Sequence, residues 1–517
     1  MSFDAASLTD ARLANWMPSP GSADADILPD LATVRSRTRD LARNSAIGGS
    51  FVQTAKDNVI GSQLRLSAKP DYRLLGKDPA WAREWSTQVE AEFRTWANTT
   101  ECDASATQTL IGQARTAFHA FLTNGDSLTV PVYLKRPGHR WFTKLQGIES
   151  DRLATPPELS ASRYVRGGVE IDDYHAPIAY HIRKQHPGDW MGLITGSAEV
   201  FQFERIPAFD SKGRRRVIHL YDKERDEQSR GMTPFSRVLR ESRVLSEYVG
   251  HENHAALANS LIAAFLESDL PPDQVGELFG NSAGEANQYW SDVSSRYHRK
   301  KLEGGLFFNM PLGTKLSSFN PSRPNVAFEP FVRFMVRYLA TGLNIPYELL
   351  LKDFSQTNYS SARAALLEAW RYFLSCRQLF ADQWLQPVYF AWLEEAVDKG
   401  LIEAPDLYLN PYAYTRARWI FSGRGWVDPV KEIEAAKTRM ETGLSTLEDE
   451  AAEQGRDWEE TLEQRAIESQ RKRELDQLYG LEGIYSLAYV PGNHQQSAEK
   501  TQSQDTPDNQ DSQEATV

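Results

Sequence analysis

The chain has 517 residues, room for two to four lobes with a substantial core, and a net charge of −12. That balance excludes a tight, non-specific nucleic-acid binder, because neutralising phosphates takes an excess of Lys and Arg. Cys102 and Cys376, the two cysteines, form no metal or redox spacing, so no disulfide framework is expected, which suits a reducing cytosol.

The N-terminus lacks the basic-then-apolar layout of a signal peptide. No apolar run approaches the roughly 20 residues that span a bilayer. Residues 1–30 carry Pro18, Pro20, Gly21 and Pro29 among small polar residues and read as an extended arm. An arginine-rich helix follows, with Arg35, Arg37, Arg39 and Arg43, and with Leu31, Val34, Leu41 and Ile47 near helical spacing. A second helix, about Gly49 to Val59, leads through Gly61 into the strand-like LRLSA. The helix expected over 79–97 places Trp81, Trp85, Val89, Phe93 and Trp96 along one face. A stripe of that kind belongs in a core.

From about 125 to 220 the pattern changes to short β-runs: LTVPVYL, VEIDD, IAYHIRK, FQFERI and VIHLYD, separated by Pro, Gly and charged turns. Helices therefore flank an antiparallel β region, and the fold class is α+β, predominantly helical.

Thr233 is a good N-cap and Pro234 suits the first helical position. The helix they predict keeps its apolar period to about Leu266, roughly 50 Å at about 1.5 Å per residue. Pro271-Pro272 stops it. Residues 271–327 read as a small separate module, with a helical piece around 284–299 and a hairpin of LFFN and KLSSF turned by MPLGT. A helix follows from Pro330 to about Asn344.

Then comes a polar segment, Lys352 to Ser360, between two helical patterns. Helix hairpins are ordinarily turned with Gly or Pro; this one has neither. It carries Ser355, Gln356, Thr357, Asn358 and Ser360, which make it either a solvated connection or a contact surface. The next helix runs from Ser361 to about Lys399, with a kink expected at Pro387 and a stop at Gly400. Asp428-Pro429 caps a helix ending near Gly443. Ser445 to Glu448 has capping-box spacing, as does Asp457 to Glu460, which starts a charged helix to Tyr479. Residues 492–517 are polar and aperiodic, and are expected to be disordered.

Chemistry-bearing motifs are scarce. The chain has no phosphate loop and no GxGxxG. No catalytic activity, metal or cofactor is expected. HENH, at His251 to His254, resembles a zinc-protease motif, but that motif spaces its histidines at i and i+4, not i and i+3. A metal-dependent nuclease or hydrolase using His251 and His254 is the alternative reading. RYHRKK, with Arg296, Arg299, Lys300 and Lys301, is the clearest basic run. It is either a charged, aggregation-blocking edge or a docking patch for an acidic partner.

The order of these parts resembles the lambda-type portal proteins of tailed bacteriophages. The stretches that carry it are RSRTRDLARN with DNVIG and LRL (35–66), GVEIDDYHAPIAYHI (168–182), and IPAF with VIHLYDKERDEQSRGMTPFSRVL (206–239). LEGGLFFNMPLGTKLSSFNPSRPNVAFEPFVRFMVRYLATGLNIPYELLLKDFSQTNYSSARAALLEAW (302–370) and GRGWVDPVKEIEAAKTRMETGLSTLEDEAAEQGRDWEE (423–460) complete it.

The resemblance implies a ring of about twelve subunits at one capsid vertex of the virion, assembled in the host cytoplasm. Residues 31–232 would be the wing, 233–270 and 328–351 the stem, 271–327 the clip, 352–361 a tunnel loop, 362–427 a long helix and return to the wing, 428–480 the crown, and 481–517 a tail. Such a ring nucleates procapsid assembly with major capsid and scaffolding proteins. It docks the terminase large subunit and then head-tail connector proteins, and it passes double-stranded DNA. Lys352, Asp353, Ser355, Gln356, Thr357, Asn358 and Tyr359 would face that DNA, and Arg296, Arg299, Lys300 and Lys301 would dock the motor. A loop of amides and hydroxyls with one Lys and one Asp contacts DNA with little net attraction. The same loop could instead pack against a neighbouring subunit.

Overall fold

A computed structural model describes residues 4–18, 20–189, 202–261, 265–268, 314–317, 327–355, 357–425 and 428–480. The chain divides into two units, Met1–Ser422 and Gly423–Val517.

In the first unit a short helix α1 (Ala23–Ile27) precedes α2 (Leu31–Asn44) and α3 (Ala46–Val59). Buried Asp24 fixes this start of the chain, accepting the N–H and hydroxyl of Ser229 at 2.9 and 2.8 Å. β1 (Leu64–Ala68) leads to α4 (Pro79–Ala97), which starts where the sequence signals it. Asp78 accepts the Trp81 N–H at 2.7 Å, and Pro79 opens the helix. The aromatic stripe of α4 is core: Trp85, Val89, Phe93 and Trp96 are buried. Each buried indole there has an acceptor, Trp96 Nε1 on the Thr143 carbonyl at 2.8 Å and Trp85 Nε1 on that of Glu403 at 3.0 Å.

A helix absent from the sequence reading, α5 (Leu110–Asn124), follows. The β region then comprises β2 (Asp126–Tyr133), β3 (Thr143–Ile148), β4 (Val165–Arg166), β5 (Val169–Ile171), β6 (Pro177–Arg183), β7 (Phe203–Pro207) and β8 (Ile218–Tyr221). It forms two antiparallel sheets, ordered β3-β2-β8 and β4-β5-β6-β7. A small core of Leu128, Val130, Leu153, Ile171, Tyr180 and Ile182 lies among these strands.

Thr233 does cap, but it caps a short 3-10 turn, Pro234–Arg237. The long helix α6 begins at Leu239 and ends at Leu261. It is shorter than expected because residues Phe265–Ser268 form a strand, β9, paired antiparallel with β10 (Thr314–Ser317). Periodicity alone read those residues as more helix; a ladder with a distant strand overrides it. KLSSF thus contributes a strand, but one paired with β9. LFFN, the partner expected for it, lies outside the described residues.

α7 (Phe328–Gly342) and α8 (Tyr347–Leu351) lead into the polar segment, and α9 (Tyr359–Phe380) starts two residues before the expected Ser361. A π-turn at Ala381–Leu385 joins it to α10 (Gln386–Asp398). Pro387 has no N–H to give the preceding turn, so the helix widens there. Gly400 adopts φ +69 as the stop. After α11 (Pro411–Thr415), β11 (Ala417–Phe421) returns to pair with β1, Leu64 opposite Phe421. The Trp-rich core closes here, where Phe93 meets Trp392 edge-on at 5.1 Å.

The second unit contains α12 (Pro429–Glu441), α13 (Leu447–Glu453) and α14 (Trp458–Tyr479). Its capping box lies one residue beyond the expected position: Thr446 and Asp449 form it, not Ser445 and Glu448. Arg439 binds Glu450 through two bonds of 2.8 and 2.7 Å. α12 and α13 bury no residue.

Candidate functional site

The polar segment is built from its two ends. α8 is tied down by Ser50, whose hydroxyl donates to the Leu350 carbonyl at 2.8 Å, and by the Arg337 guanidinium over the Tyr347 ring at 4.7 Å. Lys352 then takes φ +57, the left-handed conformation that Gly ordinarily supplies at a helix end, and its N–H reaches the Glu348 carbonyl. This replaces the missing Gly, and the side chain it imposes is a cation. Asp353 accepts the Ser355 N–H at 2.9 Å. Backbone and hydroxyl hydrogen bonds from Ser355 hold its carboxyl below the usual range. Thr357 donates its N–H to the Phe354 carbonyl at 3.1 Å. Asn358 caps α9, accepting the Ser361 N–H at 2.8 Å.

Lys352, Asp353, Ser355, Asn358 and Tyr359 are exposed, and Thr357 is half-buried. The structure brings these six together on one short turn; Gln356 lies outside the described residues. So do Arg296, Arg299, Lys300 and Lys301. His251 and His254 lie exposed on α6 and join no cluster of metal-ligating atoms among the described residues.

The helices leading to the turn carry a feature that motif reading missed. α7 buries Val336, Leu339 and Ala340. Its opposite side shows Phe331, Phe334 and Tyr338 at 38%, 63% and 53% exposure, spaced i, i+3, i+7. Leu367 and Leu374 are similarly bare on α9. The signal was in the sequence as an α7 apolar on two sides, which exceeds what one core can cover.

Elsewhere in the first unit sits a buried ionic hub. Asp126, wholly enclosed at the start of β2, binds Arg35 of α2 at 2.8 Å, Arg230 at 2.6 Å and His219 of β8 at 3.4 Å. Both arginines also donate to the Ser150 carbonyl. Burial pushes the Asp126 carboxyl up, but Arg230, Arg35 and His219 outweigh it and hold it well below the ordinary range. For His219, burial lowers the pKa more than Asp126 raises it. Burial and Arg230 bring Arg35 down to about 10. The hub locks α2, the β2-β8 pair and the 230 turn into one body.

The family described as phage portal protein, lambda family, matches residues 9–377 of this chain. The chain belongs to that portal family. It is 28% identical over 478 residues to the portal protein of Escherichia phage N15, covering 89% of this chain and 88% of that one. Portal protein B of Escherichia phage lambda matches with the same identity and coverage. Among solved structures, the neck of an empty gene transfer agent particle matches with 13% identity and a TM-score of 0.41, over 80% of this chain and 89% of that one. As a member of a phage portal family, the chain is a virion component. The family match starts before α1 and ends within α9, and so takes in the polar turn and the aromatic stripe of α7.

Proposed function

We propose that this chain forms a ring of about twelve copies at one capsid vertex, whose central channel passes double-stranded DNA during packaging and ejection. The observation that carries the reading is the exposed pair Phe334 and Tyr338 on α7, beside the partly shielded Phe331 and opposite a face that is already buried. A different surface of a neighbouring copy is its natural cover, because a closed ring of many subunits is built from head-to-tail contacts. Residues 233–270 and 328–351 act as stem, and 31–232 as wing. The turn from Lys352 to Tyr359 faces the bore, where one cation, one anion and several hydroxyls and amides contact DNA without holding it.

The basic run Arg296, Arg299, Lys300 and Lys301 docks the terminase large subunit, and later head-tail connector proteins. The ring nucleates the procapsid with major capsid and scaffolding proteins. The function is structural, not enzymatic.

The test is Phe334→Glu in the full chain. We expect a folded monomer that no longer forms rings, read by mass photometry and circular dichroism. Intact rings carrying a glutamate at this position would remove the stem assignment. Replacing Arg299, Lys300 and Lys301 by Ala leaves rings intact but weakens docking of the motor, because exposed charge governs association more than folding.

A further inference from the structure

One backbone position on the edge of the β3-β2-β8 sheet opens into a cleft. β3 is the edge strand, and its register sets Leu145 opposite Pro131. Pro131 has no N–H, so this pair exchanges no backbone bonds, and the polar groups of Leu145 point away from β2. The contacts agree: the Leu145 carbonyl accepts the Ala104 N–H at 3.0 Å. Two residues earlier, Thr143 donates its N–H to Glu395 at 2.6 Å, and its carbonyl accepts Trp96 Nε1 at 2.8 Å. A strand repeats every two residues, so Gly147 turns its N–H and C=O to the same outer side.

The segment that covers β3 as far as Leu145 then turns away. The Asp103 carboxylate gathers the N–H groups of Ser105, Thr107 and Gln108 at 3.0, 2.9 and 3.0 Å and folds that segment back. Gly147 is left exposed, and the space where its side chain would begin is open to 4 Å.

The cleft at this edge measures about 730 Å³ and has Leu128, Ile148 and Trp384 in its lining. Two arginines stand on its rim, in a chain that is acidic overall. Arg39 and Arg43 stand one turn apart on α2, and His119 faces them from α5. Arg39 is held by Asp151 and by Asn124 Oδ1, yet its Nη2 is buried without a hydrogen-bond partner. Arg43 is exposed and makes no ion pair among the described residues. Burial first, then Lys56 and Arg39, lower the His119 pKa, which favours the neutral ring. The acidic groups of the rim are engaged, Asp103 in its own turn and Glu149 with His186 at 3.0 Å.

We propose that this cleft is a docking groove for an extended, acidic peptide segment of a partner protein, seated by backbone hydrogen bonds at Gly147 and by its carboxylates on Arg43 and Arg39. An extended peptide offers a donor and an acceptor in the repeat a strand edge demands. A nucleic acid brings phosphates but no such repeat. The groove is distinct from the Lys352–Tyr359 turn.

The test uses the full chain and four probes: a short fluorescein-labelled peptide of alternating Glu and Val, its Lys and Val counterpart, an oligothymidylate of similar charge, and inorganic phosphate. The Glu–Val peptide binds and the Lys–Val peptide does not. Arg43→Glu and Gly147→Pro each weaken binding by about tenfold or more. Gly147→Pro removes only the outward N–H, which an edge strand tolerates. Gly147→Ala binds as the unaltered chain does. In the unaltered chain, the Glu–Val peptide slows hydrogen exchange across residues 143–149, a readout that stands even if Gly147→Pro fails to fold. Absent binding, or binding without slowed exchange over 143–149, would overturn the proposal. So would oligothymidylate or phosphate displacing the peptide while a folded Gly147→Pro binds normally, the outcome expected of a simple anion site.

Discussion

Two helices of this chain carry aromatic residues at helical spacing, and they meet opposite fates. On α4, Trp85, Phe93 and Trp96 are buried, and both indoles find carbonyl acceptors. On α7, Phe334 and Tyr338 stand in solvent, and Phe331 is shielded in part by Tyr248, while the other side of the same helix is packed. The period is the same; what differs is whether the chain itself supplies the cover. For α4 it does, through α10 and β11, which lie some three hundred residues further on. For α7 the cover is partial: Tyr248 of α6 meets the Phe331 ring at 4.7 Å, while Phe334 and Tyr338 stay exposed. Helical periodicity identifies an apolar face, and only the tertiary fold reveals which faces need another molecule.

The sharpest way to break this contrast is to truncate one aromatic of each kind. Trp96→Ala leaves a large cavity and an unpaired Thr143 carbonyl, and is expected to cost about 3–5 kcal/mol of protomer stability in denaturant titration. Phe334→Ala is expected to change protomer stability by no more than about 0.5 kcal/mol, yet to impair assembly. Equal destabilisation by both would mean that α7 is covered within the protomer.

Asp126→Ala tests how far the buried hub holds the protomer together. It leaves Arg35 and Arg230 buried without their carboxylate, at an expected cost of about 3–5 kcal/mol. Asp126→Asn should recover only part of that loss, since the amide keeps the shape but not the charge.

The hub also sets a pH dependence, and its sign follows from the direction of the shifts. His219 has a lowered pKa in the folded chain, so as pH falls below about 6.5 the unfolded chain takes up this proton first and stability declines. Asp126, also lowered, adds a further loss at more acidic pH, below about 3.9 and on through its folded value. His219→Gln is expected to flatten the slope between about pH 7 and pH 5. An unchanged slope in that window would assign it elsewhere.

The smallest effect on folding belongs to the polar turn. Removing Ser355 and Thr357 should spare stability, because loop-closure entropy changes little, but should reduce DNA packaging or retention. Replacing Thr357 and Asn358 with Lys repeats each new charge around the ring. Packaging should then slow most at low salt and recover in part as salt rises. Equal packaging by all three proteins would remove the turn from the channel wall.

The elements legible in the sequence were those with local punctuation. α4 begins at Asp78-Pro79 and α14 at Asp457, as their caps require. The β-runs from 126 to 221 were read as strands because alternation and turn residues agree there. What escaped depends on partners distant in sequence. α5 encloses Ala114, Phe118, Phe121 and Leu122 and turns Thr116 and His119 outward, but no side-chain cap hydrogen bond marks its start. β11 exists because β1 pairs with it, and β9 ends α6 early because β10 pairs with it.

At the candidate site, the hydrogen-bonding composition of the turn was legible, whereas the left-handed Lys352 that replaces a turn glycine was not. Arg35 read as one arginine among four on a helix; its burial against Asp126 is set by a residue 91 positions away.

The central claim is that a second copy covers the bare side of α7, in a closed ring. Electron microscopy of the purified full-length chain tests it most directly. The account predicts rings with a central hole, of about twelve subunits, with Phe331, Phe334 and Tyr338 enclosed at the contact between neighbours. A species that stays monomeric across salt and protein concentration would contradict it, as would rings in which those three side chains remain in solvent.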